Sequence, residues 1–272
     1  KEIVLKALEQ VIDPDFKKDI ITLKMLEDFK IEDNKIFITI RLTTPACPMK
    51  SEFVRQCNEA IKNIVGTDAI VHVDFTAKTT SSRELKEDLL PKVKNIIAVA
   101  SGKGGVGKST IAVNLALGLS KLGAKVGLID ADIYGPSIPM MLGIQDIRPT
   151  VEEIGDKVLI NPVEIFGIKT LSIGFFVDTE KALLWRGPMA SNALKQLFSD
   201  GQWGELDYMV IDLPPGTGDI HLTLVQSLSV TGVVVVSTPQ EVALADARKA
   251  LSMFYQPEIK VPVLGLVAIR AW

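Results

Sequence analysis

Cysteine and histidine are scarce: two of each stand among 272 residues. Cys47 and Cys57 lie ten positions apart, which is neither a disulfide framework nor a metal-ligand spacing, so a small secreted scaffold is excluded. Long apolar runs are also missing. Stretches such as Ile96 to Ala100 and Val233 to Val236 fall far short of the ~20 residues a membrane helix requires. Charge of one sign is not in excess: the net charge is -3, and neither half of the chain is basic, which argues against strong binding to nucleic acid through phosphate neutralisation. The opening Lys1-Glu2-Ile3-Val4 lacks the layout of a signal peptide and an initiator Met, so the native start is expected upstream. With 47% hydrophobic and 23% charged residues, the composition is that of a globular protein, not of a low-complexity chain. A cytoplasmic setting with both thiols reduced is the expectation, and no membrane or nucleic-acid partner is expected.

What is present divides in two. Residues 1–80 read as a small α+β unit: Ile3, Val4, Ala7, Leu8 and Val11 recur at helical spacing, and Lys35 to Leu42 is a β-branched strand pattern. Phe53, Cys57, Ala60, Ile61 and Ile64 mark a second helix closed at Gly66, followed by a strand over Ala69 to Phe75. The polar stretch through 81–94 is the predicted linker. From 95 to 272 apolar strands alternate with helices: Ile96 to Ala100, Ser109 to Leu122, Val126 to Ile129, Tyr208 to Ile211, Val233 to Val236, Glu241 to Phe254 and Val263 to Val267. Such alternation predicts an α/β domain with a mostly parallel sheet covered by helices.

Gly102-Lys103-Gly104-Gly105-Val106-Gly107-Lys108-Ser109 satisfies the phosphate-loop pattern. Glycines let backbone N–H groups curl around phosphate oxygens, Lys108 supplies a point charge to the β/γ-phosphates, and the Ser109 hydroxyl suits Mg²⁺. A helix begins at the loop and adds its positive end. The preceding apolar strand and following amphipathic helix are the context such a loop requires, so nucleotide binding is expected. Asp130, Asp132 and Asp212 each follow an apolar strand, at the carboxyl end where open α/β sheets bind ligands. Asp212 has the position of the acidic residue that holds Mg²⁺ through water.

Lys103 to Thr110, with Asp130-Ala-Asp132 and Asp212-Leu-Pro-Pro-Gly-Thr-Gly-Asp219, resembles the deviant-Walker ATPases of the MinD/ParA type. Asp130 to Ser137, Trp185-Arg-Gly-Pro188, Ser237-Thr-Pro-Gln240 and Asp246 to Lys249 resemble the Mrp/ApbC branch, which are iron–sulfur cluster carriers. Asp13-Pro14-Asp15, Asp19 to Leu23 and Thr43 to Pro48 are similar to the iron–sulfur assembly domain fused in front of many of them. The resemblance implies a nucleotide-sandwich homodimer that hydrolyses ATP with Mg²⁺ and serves apo-protein acceptors together with assembly factors. Lys103 would reach across to the partner's ATP, with Lys108, Ser109 and Thr110 on the phosphates and metal. Asp132 would position or activate the attacking water, Asp212 would hold Mg²⁺ through water, and Pro239 and Gln240 would lie by the adenine.

The resemblance also implies a 4Fe–4S cluster bridging two chains through a Cys-x-x-Cys after the final strand, because such clusters need thiolates. Residues 95–272 contain no cysteine, and Ala268 to Trp272 stands where the family reads Glu-Asn-Met-Ser. Either the ATPase domain is truncated at its C-terminus, a disordered segment is missing from the sequence, or this member lacks the site. Cys47, between Pro45 and Pro48 near a helix start, carries either a thiol role or packing; Cys57 is expected in the core. His72 and His221 are expected to be structural, and Arg186 is read either as touching a partner subunit or as solvated. The competing functions are a MinD/ParA-type positioning ATPase acting through membrane or DNA, and a nucleotide-gated electron-transfer protein. The first would want a basic surface or an amphipathic C-terminal helix, and the second cysteines in the ATPase domain.

Overall fold

The structure, a computed structural model, describes residues 2–270 apart from 15, 33, 43, 67, 78–88, 156, 177–186, 219–220, 222–223, 226 and 258. The chain forms two compact units, Lys1–Thr79 and Thr80–Trp272.

In the front unit, α1 (Glu2–Leu8) is followed by a two-stranded ribbon, β1 (Ile12–Asp13) and β2 (Lys18–Asp19). Then come β3 (Leu26–Glu32), β4 (Lys35–Leu42), α2 (Lys50–Val65) and β5 (Ile70–Ala77). The sheet order is β3-β4-β5, antiparallel on one side and parallel on the other, so α2 is the crossover that a parallel pair requires. Ile36, Ile38, Ile40 and Leu42 alternate inward from β4, and α2 sets Phe53, Cys57, Ala60 and Ile61 against the same core. The strand β3 was not legible in the sequence, because its residues alternate weakly and leave one edge exposed.

The larger unit is a seven-stranded sheet. Its strands are β6 (Val93–Ala100), β7 (Val126–Asp130), β10 (Val163–Ile165), β11 (Ile168–Ser172), β12 (Leu206–Asp212), β13 (Gly232–Ser237) and β14 (Val263–Ala268), in the order β10-β11-β7-β12-β6-β13-β14. All pairs are parallel except β10 with β11, a hairpin turned by Phe166 and Gly167 at φ 49° and 77°. Val93 and Lys94, expected in the linker, belong to β6 instead; residues 81–88 lie outside the described residues. Helices with described bounds are α3 (Lys108–Lys121), the short α4 (Ile138–Met141), α5 (Gly187–Ser199) and α6 (Glu241–Phe254), and β8 (Val151–Ile154) pairs with β9 (Lys157–Ile160) as a separate hairpin. Phe198, Phe254, Ile96 and Ile129 are fully buried in the core, each contributing ~2 kcal/mol or more by leaving water. The Trp203 indole is satisfied there, donating to the Leu197 carbonyl at 3.1 Å. Among the described residues no helix is long and apolar enough to cross a membrane.

Candidate functional site

Strand register sets the site. Asp130 pairs with Asp212 across β7 and β12, Ser172 pairs with Asp130 across β11 and β7, and Asp212 pairs with Val99 of β6. Residues in register on neighbouring strands face the same way, so Ser172, Asp130 and Asp212 form a polar row at the carboxyl rim of the sheet. The loop after β6 opens onto this rim.

Within that loop Gly105 and Gly107 take φ of 78° and 86°, values that side chains resist. Gly102 is glycine for a different reason. A Cβ there would stand 2.2 Å from the Asp246 carbonyl oxygen, because the backbone of α6 presses on the loop. The segment after β12 is tied to the same place: Leu213 N–H donates to Val99, Gly216 N–H to the Ser101 carbonyl at 2.8 Å, and Ala131 N–H to the Asp212 carbonyl.

Lys108 is buried and its Nζ donates to Asp212 Oδ1 at 2.7 Å, with Asp132 Oδ2 at 3.4 Å. Ser109 Oγ donates to Asp212 Oδ2 at 2.5 Å. Burial raises the Asp212 carboxyl, and Lys108 and Ser109 pull it back part of the way. Asp130 is fully buried and pushed up to about 7, by desolvation first and by the neighbouring Asp212 charge second. His221 is buried and lowered by desolvation; its Nε2–H donates to the Pro214 carbonyl at 2.7 Å, a structural tie to the segment after Asp212.

A cavity of about 290 Å³ lies over the loop, lined by Gly104, Gly105, Gly107, Lys108, Ser109 and Thr110, with Asp132 and Pro215 on its other wall. The donor set fits a polyphosphate with Mg²⁺: an N-terminal helix turn, the buried Lys108 ammonium, the Ser109 and Thr110 hydroxyls and the Asp132 carboxylate, with Asp212 bonded to Lys108 and Ser109 behind them. Two larger hollows, about 460 and 520 Å³, sit at the opposite ends of the strands around Trp203 and Phe166. They are remote from the carboxyl rim, where parallel sheets take ligands.

The structure brings Gly104, Gly105, Gly107, Lys108, Ser109, Thr110, Asp132 and Asp212 together. Lys103 is exposed and Val106 is buried, neither lining the cavity; Pro239 and Gln240 are exposed and do not line it either. Cys57 is buried in the front core, where desolvation pushes its thiol up to about 12, so it is no thiolate ligand. Cys47 is half-buried against the same core and stands as a single thiol. This cysteine set does not make a cluster site. Among the described residues no group of three His, Cys, Asp or Glu side chains is arranged to hold a metal ion. His72 stacks on Phe37 with ring centroids 4.9 Å apart, in keeping with a structural role. Trp185, Arg186 and Asp219 lie outside the described residues. The sequence reading missed Ser172 and the contact of α6 with Gly102; neither carries a local signal, since both are long-range pairings.

Comparison with known proteins agrees with this geometry. Residues 92–269 match the ParA family model described as NUBPL iron-transfer P-loop NTPase, and residues 1–75 match the model described as iron–sulfur cluster assembly protein. The iron–sulfur cluster carrier protein of Synechocystis is 45% identical over 97% of this chain and 74% of its own length. That of Escherichia coli K12 is 46% identical over 93% of this chain and 68% of its own. The chloroplastic assembly factor HCF101 of Arabidopsis thaliana is 43% identical over 97% of this chain and 49% of its own. Among solved structures, the nucleotide-binding protein of Archaeoglobus fulgidus in complex with ADP is 42% identical at a TM-score of 0.56, covering 68% of this chain and 72% of that one.

Proposed function

Because the chain belongs to the family of NUBPL-type iron-transfer P-loop NTPases, with an iron–sulfur assembly domain in front, we propose that it is an ATP-binding, slowly hydrolysing carrier that delivers iron–sulfur clusters to apo-proteins. The observation that carries the nucleotide half is that Lys108, Ser109 and Asp132 line one cavity over the glycine loop, with buried Asp212 bonded to Lys108 and Ser109 behind it.

Lys108 and the N–H groups of residues 104–109 hold the β- and γ-phosphates. Ser109 would hold Mg²⁺, and Asp212 would hold it through water; when bound, the ion would supply positive charge against the phosphates. Asp132, which lines the cavity 3.4 Å from Lys108, orients the attacking water. Lys103, exposed on the loop, suits contact with the nucleotide of a second copy in a homodimer. Pro239 and Gln240 suit contact with the adenine at the edge of such an assembly. The cluster is cargo, and its ligands are not assigned to residues of this sequence. A reducing compartment such as the cytoplasm suits two unpaired thiols.

Anaerobic reconstitution of the intact gene product with iron and sulfide tests the carrier half. A visible iron–sulfur absorption band, and transfer to an apo-acceptor that changes with ATP, are expected. Failure to take up any cluster overturns the carrier reading; failure to bind ATP with Mg²⁺ overturns the nucleotide reading.

A further inference from the structure

Asp132 sits on the loop 131–137, between β7 and α4, and that loop is held from behind. Asp130 Oδ1 accepts the Asp132 N–H at 3.2 Å, and Asp130 Oδ2 accepts the Ile138 N–H at 3.1 Å, so one buried carboxylate grips both ends of the loop. Ser172 Oγ donates to the same Oδ2 at 2.9 Å from the end of β11. Asp132 in turn uses its own Oδ1 to accept from Tyr134 and Gly135 N–H, each at 3.3 Å.

A second contact ties the same two segments. Ser172 Oγ accepts the Gly174 N–H at 3.0 Å, opening the short 3-10 turn Ile173–Phe175. A Cβ on Gly174 would stand 3.0 Å from Pro136 Cβ and 3.1 Å from its Cγ, so this turn lies directly on the middle of the Asp132 loop. Ser172 is fully buried and does not line the phosphate cavity, so it reaches the chemistry only through Asp130 and the loop.

We propose that Ser172, Asp130 and Gly174 form a clasp that positions Asp132 for hydrolysis, making β11 part of the catalytic apparatus without touching nucleotide. The clasp rests on the reading of Asp132 as the residue that orients the attacking water. Holding such a group within a fraction of an ångström is what a rate, and not an affinity, depends on.

The test uses the full chain and measures steady-state ATP hydrolysis beside binding of a fluorescent ATP analogue with Mg²⁺. Ser172→Ala is expected to lower kcat about fivefold, the worth of one ordinary hydrogen bond, with nucleotide Kd unchanged. Ser172→Thr keeps the hydroxyl on a backbone at φ -130° and ψ 142°, which suits threonine, and restores the rate. Gly174→Ala is expected to lower kcat similarly by displacing Pro136, and it carries the test should Ser172→Ala not fold. In an Asp132→Ala background Ser172→Ala should cost nothing more, since it acts through Asp132. A wild-type kcat in both Ser172→Ala and Gly174→Ala overturns the clasp, as does an equal loss from Ser172→Ala with and without Asp132, or a loss of affinity in step with rate. If Asp132→Ala itself hydrolyses normally, the assignment of Asp132 falls, and the clasp with it.

Discussion

Lys108 Nζ and Asp212 Oδ1 lie 2.7 Å apart in a buried ion pair that joins the phosphate loop to the end of β12. The partners come from residues 104 positions apart in sequence, and each is the other's counter-charge. Removing one leaves a buried, uncompensated charge. Lys108→Ala should therefore do two things: abolish binding of ATP with Mg²⁺ in calorimetric titration, and lower unfolding free energy by about 3 kcal/mol at pH 7. A variant of unchanged stability would show that the pair is neutral to the fold.

Asp132 faces the same cavity but stands farther from Lys108, at 3.4 Å. Asp132→Ala should keep nucleotide affinity within about threefold and lower hydrolysis by at least ~100-fold, the range for a lost general-base or water-orienting group. Single-turnover hydrolysis beside equilibrium binding separates the two effects. Normal turnover would remove Asp132 from the mechanism.

Gly102 is the position where a single methyl should do the most damage to the loop. The atoms it would meet are backbone atoms of Asp246 and Ala247, which cannot turn aside as a flexible side chain does. Gly102→Ala should cost ~1–3 kcal/mol of stability and weaken nucleotide binding, because α6 or the loop must move. Thermal melts with and without ATP measure both. An unchanged melt would mean α6 yields freely.

The Asp130 carboxyl, raised from 3.8 to about 7, binds a proton in the folded chain that the unfolded chain has already lost between those values. Its contribution to stability is therefore whole below about pH 4 and declines as pH rises toward 7. Urea unfolding of wild type and Asp130→Asn across pH 4.5–8 isolates this group. Wild type should lose stability relative to the variant as pH rises; parallel curves would place the Asp130 pKa near its ordinary value.

The two thiols should part under alkylation. Cys57, fully buried with its thiol pushed up to about 12, should stay unmodified in the native protein at pH 8, while half-buried Cys47 takes the label. Peptide mass spectrometry reads the site directly. Label on Cys57 before unfolding would contradict its place in the core.

Much of this was legible in the order of the residues. The phosphate loop, the strand before it and the helix Glu241–Phe254 depend on local signals: glycine spacing, β-branched runs and a 3.6-residue apolar period. Asp130, Asp132 and Asp212 could be placed at strand ends for the same reason. The hairpin of β10 and β11 was not legible, since Val163 to Ser172 mixes charged and apolar residues and an edge strand is only partly buried.

The sequence alone determined that a phosphate-binding loop follows a buried strand, that strand-end carboxylates accompany it, and that residues 95–272 hold no cysteine. These follow from residue identity and short-range spacing, which folding does not alter. The tertiary structure decided which carboxylate does what. Strand order set β7 and β12 side by side, so that Asp130 is sealed behind the loop while Asp132 reaches the cavity and Asp212 meets Lys108. It also decided that Ser172, forty-two positions from Asp130 in the chain, closes the row. Pairing between strands is a long-range choice made by the whole sheet, and the partners that distinguish these three buried aspartates are met only once the sheet has formed.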